Sequence, residues 1–299
     1  NKKAWITTKT YTVTVQSSDI NMGTVTPTTS TEMSETIGGS ITATANSGYH
    51  FTGWSIVSGS GSFTNANAAS TTFKPTQESI VQANFLANKY TVIFHANDGE
   101  GDMEDQEFTY DEEQALTTNT FTRTGYTFAS WNTKADGIGT TYTDGQTVQN
   151  LTADNNGTIN LYAQWTEIKY TVNISTDGNG LVDPSGDQQI GIKGLEVTAT
   201  PKDPSRFRFT KWEVSGGAQV ADNYGATTTV TATAAGTVIA HFEELQPKTI
   251  YLKTVEGTTD GYKWFIKYGG QENQMDELGC TGEYYRGVVP EQTEFQLIA

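Results

Sequence analysis

The chain predicts a mainly β fold, built as three tandem modules of about 80 residues in an elongated row and a smaller β segment after them. Three observations carry this. The tripeptide Tyr-Thr-Val recurs at Tyr11, Tyr90 and Tyr170, spacings of 79 and 80 residues. An aromatic cluster ending in Trp follows each: Gly48-Tyr49-His50-Phe51-Thr52-Gly53-Trp54, Gly125-Tyr126-Thr127-Phe128-Ala129-Ser130-Trp131 and Arg206-Phe207-Arg208-Phe209-Thr210-Lys211-Trp212. Composition agrees. Of 299 residues 51 are Thr and 30 Gly, and only 17% are charged, so the chain favours pleated, half-buried surfaces and turns and lacks the Ala, Leu, Glu and Lys that helical bundles require.

Each element has its own reason. In Tyr11-Thr12-Val13-Thr14-Val15 and Tyr170-Thr171-Val172-Asn173-Ile174 apolar and polar residues alternate, the pattern of a strand with one buried face. The Trp cluster reads the same way, with Tyr126, Phe128 and Ser130 on one face and Thr127, Ala129 and Trp131 on the other. Closing runs recur at Val81-Gln82-Ala83-Asn84-Phe85, Leu161-Tyr162-Ala163-Gln164-Trp165 and Val238-Ile239-Ala240-His241-Phe242. Clusters such as Ser58-Gly59-Ser60-Gly61 and Asp177-Gly178-Asn179-Gly180 supply turns. Five or so short strands and at most one short helix are expected per module. The joins are brief (Ala87-Asn88-Lys89, Glu167-Ile168-Lys169), which predicts limited flexibility between modules and boundaries at 1–87, 88–168, 169–245 and 246–299.

Residues 248–299 do not repeat the landmarks. Strands are expected at Lys248–Lys253, Gly261–Tyr268, Gly282–Gly287 and Thr293–Ile298. Outside the repeats, Tyr262, Trp264, Tyr268, Tyr284 and Tyr285 are the aromatics able to form a flat face for stacking on sugar rings, and they are the candidate ligand-binding residues. Ile266 stands in the same period-2 row and argues for a core face instead. The repeat Trp residues Trp54, Trp131, Trp165 and Trp212 read as core anchors.

The middle module resembles the Listeria–Bacteroides repeat, the internalin-type B-repeat family, through Tyr90-Thr91-Val92-Ile93-Phe94, Asn97-Asp98-Gly99, Arg123-Thr124-Gly125-Tyr126-Thr127-Phe128, Trp131 and Leu161-Tyr162-Ala163-Gln164-Trp165. Residues 11–86 and 170–243 resemble divergent members of the same group. They keep the Tyr-Thr-Val start, the turns Gly23-Thr24-Val25 and Gly180-Leu181-Val182, and the Trp. The third places Ser205-Arg206 where the first two have Gly-Tyr. The resemblance implies compact β-grasp-like modules strung in tandem in secreted or wall-associated bacterial proteins, acting as adhesins or spacers, with no catalytic residues. Residues 248–299 resemble starch-binding-type carbohydrate-binding modules. That implies a β-sandwich-like segment continuing past Ala299. The start at Asn1, without initiator Met or signal pattern, reads as a processed or trimmed product.

Charge and chemistry narrow the function. Net charge is −16, which argues against nucleic acid and anionic membrane surfaces as partners. No apolar run approaches the ~18 residues of a membrane span. One cysteine, Cys280, excludes an internal disulfide framework and any CxxC motif; three His (His50, His95, His241) are too scattered for a metal cluster. Nine carboxylates fall between Asp98 and Glu113 without a Lys or Arg. Their order misses the calcium-loop pattern, and a solvated acidic loop is the expectation. Small modules of this kind lack a deep cleft, so neither paired carboxylates nor a Cys280–His241 pair points to catalysis. The reading is a non-catalytic, extracellular or cell-surface bacterial protein, expected monomeric, with no cofactor and no metal. Its repeats serve adhesion or spacing and present a binding domain to a host or cell-surface protein or glycan. The alternative is a glycan-binding accessory region of a polysaccharide-utilisation protein. An enzyme fragment is the third reading.

Overall fold

A computed structural model describes residues 8–246 and, beyond them, segments 248–253, 265–268, 271–278, 284–289 and 296–298. The chain divides into two compact units, Asn1–Thr166 and Glu167–Ala299. Among the described residues every regular element is a strand.

The first unit opens with β1 (Thr10–Ser17), β2 (Gly23–Thr26), β3 (Thr31–Ser34), β4 (Gly39–Ala45), β5 (Tyr49–Ser58), β6 (Gly61–Phe63), β7 (Ser70–Pro75) and β8 (Ser79–Ala87). They form two four-stranded sheets, β3-β1-β8-β5 and β2-β4-β7-β6. Alternation works as the sequence predicts: Val13 and Val15 of β1 and Val81, Ala83 and Phe85 of β8 are buried in a core with Ile41, Trp54 and Phe73. The same unit continues with β9 (Lys89–His95), β10 (Gln106–Thr109), β11 (Gln114–Ala115), β12 (Tyr126–Asn132), β13 (Thr141–Tyr142), β14 (Thr147–Val148) and β15 (Gly157–Glu167). Here the sheet order is β10-β9-β15-β12-β13, with β11 and β14 paired separately, around a core that includes Tyr90, Phe94, Phe108, Trp131 and Leu161.

The second unit begins with β16 (Tyr170–Thr176), β17 (Gly180–Asp183), β18 (Gly186–Ile190), β19 (Leu195–Pro201), β20 (Phe207–Val220) and β21 (Thr227–Glu244). Their core gathers Val172, Ile174, Val197, Trp212, Val230, Val238 and Phe242.

One topology underlies all three repeats. The Tyr-Thr-Val strand (β1, β9, β16) runs parallel to the closing strand (β8, β15, β21) and antiparallel to an edge strand (β3, β10, β18). The Trp strand (β5, β12, β20) neighbours the closing strand on its other side. The expected β-rich repeat is what the structure has. A β-grasp would add a helix across the sheet, and among the described residues further strands and loops cover it instead, more of them than the five per module anticipated.

Strict alternation fails in the Trp strand, for a definite reason. Phe128 and Trp131 both pack into the core with ring centroids 4.9 Å apart, whereas period 2 separates them. The same Phe-x-x-Trp contact recurs between Phe51 and Trp54 at 5.6 Å and between Phe209 and Trp212 at 5.3 Å. In β5 the register skips Thr52, between Phe51↔Phe85 and Gly53↔Asn84; in β20 it skips Thr210. Each skipped Thr donates its hydroxyl to a carbonyl of the closing strand, Thr52 to Asn84 O at 3.1 Å and Thr210 to His241 O at 3.0 Å. One extra residue re-phases the strand so that two large aromatics face inward.

The same register corrects the third repeat. Tyr49 pairs with Ala87 and Phe207 with Glu244, each two residues past the closing aromatic, so Gly48-Tyr49 corresponds to Arg206-Phe207 rather than Ser205-Arg206. Gly48 and Gly125 have positive φ (86° and 76°), the conformation that favours glycine. A further glycine recurs beneath the closing aromatic. A Cβ on Gly23 would lie 2.5 Å from the Phe85 ring, on Gly99 2.6 Å from Trp165 and on Gly180 2.1 Å from Phe242.

Beyond the repeats lie β22 (Lys248–Lys253), β23 (Phe265–Tyr268), β24 (Gln271–Gln274), β25 (Asp276–Leu278), β26 (Tyr284–Val289) and β27 (Gln296–Ile298). They form two three-stranded sheets, β22-β26-β25 and β24-β23-β27. β24 and β25 were not anticipated, because Gln271-Glu272-Asn273-Gln274 carries no apolar alternation.

Candidate functional site

The backbone distributes the candidate aromatics of the tail over two sheets. Tyr268 ends β23, opposite Gln271 of β24. Tyr284 and Tyr285 open β26, opposite Lys253 and Leu252 of β22 and Leu278 and Glu277 of β25. Tyr262 and Trp264 lie outside the described residues, as does Cys280.

Inside the repeats the tryptophans and most other large aromatics are taken up by packing, Tyr224 at 77% exposure being an exception. Trp54, Trp131 and Trp212 are 6%, 0% and 3% exposed. Trp165 is half-buried and donates its indole N–H to Ala96 O and Asn97 O, at 2.9 and 3.0 Å. Trp54 and Trp212 donate to loop carbonyls, Ala68 O at 3.1 Å and Gly225 O at 2.8 Å. The Trp131 N–H is buried with no hydrogen-bond partner in the protein.

The histidines each sit in a local polar contact. His95 stacks on Tyr162 at 4.5 Å and bonds Asn160 Oδ1 through Nε2 at 2.8 Å. His241 lies 3.0 Å from Glu213 and 3.7 Å from Asp177. Among the described residues no group of three or more His, Cys, Asp or Glu is arranged to hold a metal ion. The nine carboxylates between Asp98 and Glu113 are exposed. Two of them make ion pairs, Glu107 with Lys89 at 2.6 Å and Asp98 with Arg123 at 3.4 Å.

A dense polar site lies at the join between the first two repeats, within the first unit. Asn88 is 5% exposed, and its four hydrogen-bonding groups divide equally between the repeats. Its N–H donates to Gly48 O (2.8 Å) and its Oδ1 meets His50 Nδ1 (2.8 Å), both in the first repeat. Its C=O accepts from Tyr110 N (2.8 Å) and its Nδ2 donates to Ala153 O (2.7 Å), both in the second. Because Nδ2 is the donor to Ala153, Oδ1 accepts, and the proton of this tautomer sits on His50 Nδ1. Beside Asn88, the Tyr49 hydroxyl donates to Asp111 Oδ2 and the Tyr49 ring meets Tyr110 edge-on at 5.6 Å. Gly48 lies so close to the Tyr110 ring that a Cβ would come within 2.2 Å of it.

Asp111 is held in turn. Its N–H donates to Asn150 Oδ1 at 2.6 Å and its Oδ1 accepts from Asn150 Nδ2 at 2.8 Å, with positive φ at both residues (64° and 54°). The hydrogen bond to the Asp111 carboxylate, reinforced by burial and charge, pushes the Tyr49 hydroxyl up to about 12. The Tyr49 and Asn150 hydrogen bonds hold the Asp111 carboxyl below its ordinary range. The acidic run therefore contains one residue with a built structural role, which its sequence context does not distinguish from its neighbours.

Two open grooves lie among the described residues. One, about 440 Å³, is lined by Asn173, Ser175, Thr176, Leu181, Ser185 and Lys202 among others. The other, about 320 Å³, is lined by Thr12, Thr14, Ser58, Glu78, Ser79 and Ile80. Neither brings two carboxylates together, which glycoside hydrolysis requires.

Three repeats of one topology, each closed around its own aromatic core, define a tandem β-repeat protein. Family models place it further: the Listeria-Bacteroides repeat domain matches residues 90–164, and the divergent InlB B-repeat domain matches 11–89 and 170–246. The chain belongs to this B-repeat family. It is similar to a putative Gly-rich membrane protein of Evansella cellulosilytica, 30% identical over 150 residues, which are 46% of this chain and 16% of that protein. The chain thus matches about a sixth of the length of that relative. Among solved structures it is similar to the Bacillus anthracis TIE protein, at 7% identity and TM-score 0.27, covering 100% of this chain and 70% of that one.

Proposed function

We propose that this chain is a non-catalytic repeat region of a bacterial surface protein, whose B-repeats act as adhesion and spacer modules and present a binding segment at 246–299. The observation that carries the reading is the fate of the aromatics. Each repeat spends its Trp and its closing aromatic on its own core. The outer sheet faces then carry side chains that satisfy one another, as in the Gln16–Gln82–Asn84–Ser55 chain of hydrogen bonds at 2.8–3.1 Å. Recognition falls to the tail, where Tyr262, Trp264, Tyr268, Tyr284 and Tyr285 offer stacking faces for a glycan and neighbouring Lys263, Lys267 and Glu283 offer hydrogen bonds. Family membership supports a surface setting and a non-catalytic role, and a relative described as a membrane protein agrees with the former. The protein acts outside the cell or at its surface, as a monomer.

A glycan array probed with the intact chain and with a Trp264→Ala/Tyr268→Ala/Tyr285→Ala variant tests this. Binding should be lost in the variant and should survive 0.5 M NaCl, where charge attraction is screened within roughly 4 Å. Binding that disappears in salt while the variant behaves as the parent assigns recognition to the acidic second repeat. No sugar binding by the intact chain removes the glycan from the reading and leaves the spacer role.

A further inference from the structure

We propose that the end of the first repeat formed by Gly48, Tyr49, His50 and Asn88 is a socket selective for a Tyr-Asp turn on the following repeat, and that occupying it locks the two repeats into one cooperative unit. The geometry that supports this is reciprocal. The socket contributes a hydroxyl donor, a carbonyl, an imidazole N–H and a glycine with no side chain. The second repeat contributes a carboxylate that accepts the hydroxyl, an aromatic ring that lies over the glycine, and a backbone N–H and a carbonyl that complete Asn88. Beads on a flexible string need none of these contacts, and the nearly complete burial of a four-way-bonded asparagine in a three-residue join leaves little freedom to swing.

Selectivity follows from comparing the repeats position by position. The edge-strand registers place Met33, Phe108 and Ile190 opposite Tyr11, Tyr90 and Tyr170. Two and three residues further on stand Glu35-Thr36, Tyr110-Asp111 and Ile192-Lys193. Only the second repeat presents a ring and a carboxylate there; the third presents an aliphatic chain and a cation, which a tyrosine hydroxyl proton would not favour. On the socket side, Asn88 corresponds to Ile168, and Tyr49 to Tyr126 and Phe207. The full set of socket groups therefore occurs in the first repeat and its matching turn in the second. The inference does not rest on the tail or on any ligand.

Hydrogen exchange with mass spectrometry on the full chain tests it by transmission. Leu161→Ala weakens the second repeat by truncating a fully buried side chain of β15; if that repeat unfolds outright, Leu161→Val gives a milder step. With the socket intact, protection of β1 and β8 in the first repeat should fall together with that of β9 and β15, by about tenfold for a coupling in the middle of the range for contacting residues. In a Tyr49→Phe or an Asp111→Lys background the second repeat should still lose protection while β1 and β8 keep theirs. First-repeat protection indifferent to Leu161→Ala in the parent overturns the lock. Transmission that persists in Asp111→Lys overturns the selectivity.

Discussion

Trp131 offers a test in which chemistry and packing predict different costs. Its side chain is completely buried against Phe94, Phe121 and Phe128, with centroids 4.8, 6.1 and 4.9 Å away. Truncation to Ala removes a filled core position and should cost about 3–5 kcal/mol. Replacement by Phe separates the terms. It keeps a ring against the three neighbours, leaves a small void, and deletes an N–H whose unpaired burial costs about 1–3 kcal/mol in the folded state. The two effects oppose each other, so Trp131→Phe should lose no more than roughly 1.5 kcal/mol, the range of a tolerated hydrophobic swap. Trp212 is the control. It occupies the matching position in the third repeat and donates to Gly225 O at 2.8 Å, so Trp212→Phe creates a comparable void and also breaks a hydrogen bond, and should cost clearly more. Peptide-resolved hydrogen exchange on the full chain reads both repeats in one experiment, β12 and β15 for the first variant and β20 and β21 for the second. A Trp131→Phe loss equal to or larger than that of Trp212→Phe would refute the reasoning.

Further outcomes follow from the same contacts. Gly180→Ala should destabilise the third repeat by about 1–3 kcal/mol, because its Cβ would meet the Phe242 ring at 2.1 Å; combining it with Phe242→Leu should recover part of the loss in thermal melts. Asn88→Ala removes two side-chain hydrogen bonds from a buried position and should cost about 1–3 kcal/mol, seen as faster exchange in both β8 and β9. The Tyr49–Asp111 contact has a defined pH window. Tyr49 titrates higher folded than unfolded, so its contribution is complete below pH 10 and disappears as pH rises toward about 12. Asp111 titrates lower when folded, so its contribution is present above its ordinary value of 3.8 and fades as pH falls below it. The stability difference between parent and Tyr49→Phe, followed by circular dichroism melts, should shrink at both extremes; a difference constant from pH 7 to 12 would contradict the assignment.

The repeat period, the three Trp anchors and the helix-poor class were legible because they depend on local pattern and on aromatics too large to leave exposed. The Trp strand was misread by one face, since alternation assumes an unbroken register and Thr52 and Thr210 interrupt it. The signal was nonetheless present: Phe and Trp three apart in all three repeats is a spacing that no regular strand can bury on one side. Short strands such as Thr31–Ser34 and Gln271–Gln274 escaped because their pairing partners, rather than their own hydrophobicity, make them strands. The socket was illegible in a different way. Tyr49 and Asp111 are 62 residues apart, and the turn that presents Asp111 depends on left-handed backbone at Asp111 and Asn150. Asp111 stood in the sequence as one of nine similar carboxylates.

The common topology explains which positions can diverge. The closing aromatic is Phe in the first and third repeats and Trp in the second, yet each lies over a glycine, and a glycine accommodates either ring without a rearrangement of backbone. The bulged position is Thr in the first and third repeats, and in both the hydroxyl adds a hydrogen bond to a carbonyl of the closing strand. Outward positions vary more freely: β9 and β15 carry the His95–Tyr162 stack where β16 and β21 pair Ser175 with Ile239. Packing constrains the inner residues to a few types, whereas an exposed residue on a closed sheet costs little to exchange. The positions after the edge strand, Glu35-Thr36, Tyr110-Asp111 and Ile192-Lys193, belong to that second group. A repeat can therefore alter the side chains it carries at these turns without disturbing its own core, as the Tyr110-Asp111 turn of the second repeat does where it meets Gly48 and Tyr49 of the first.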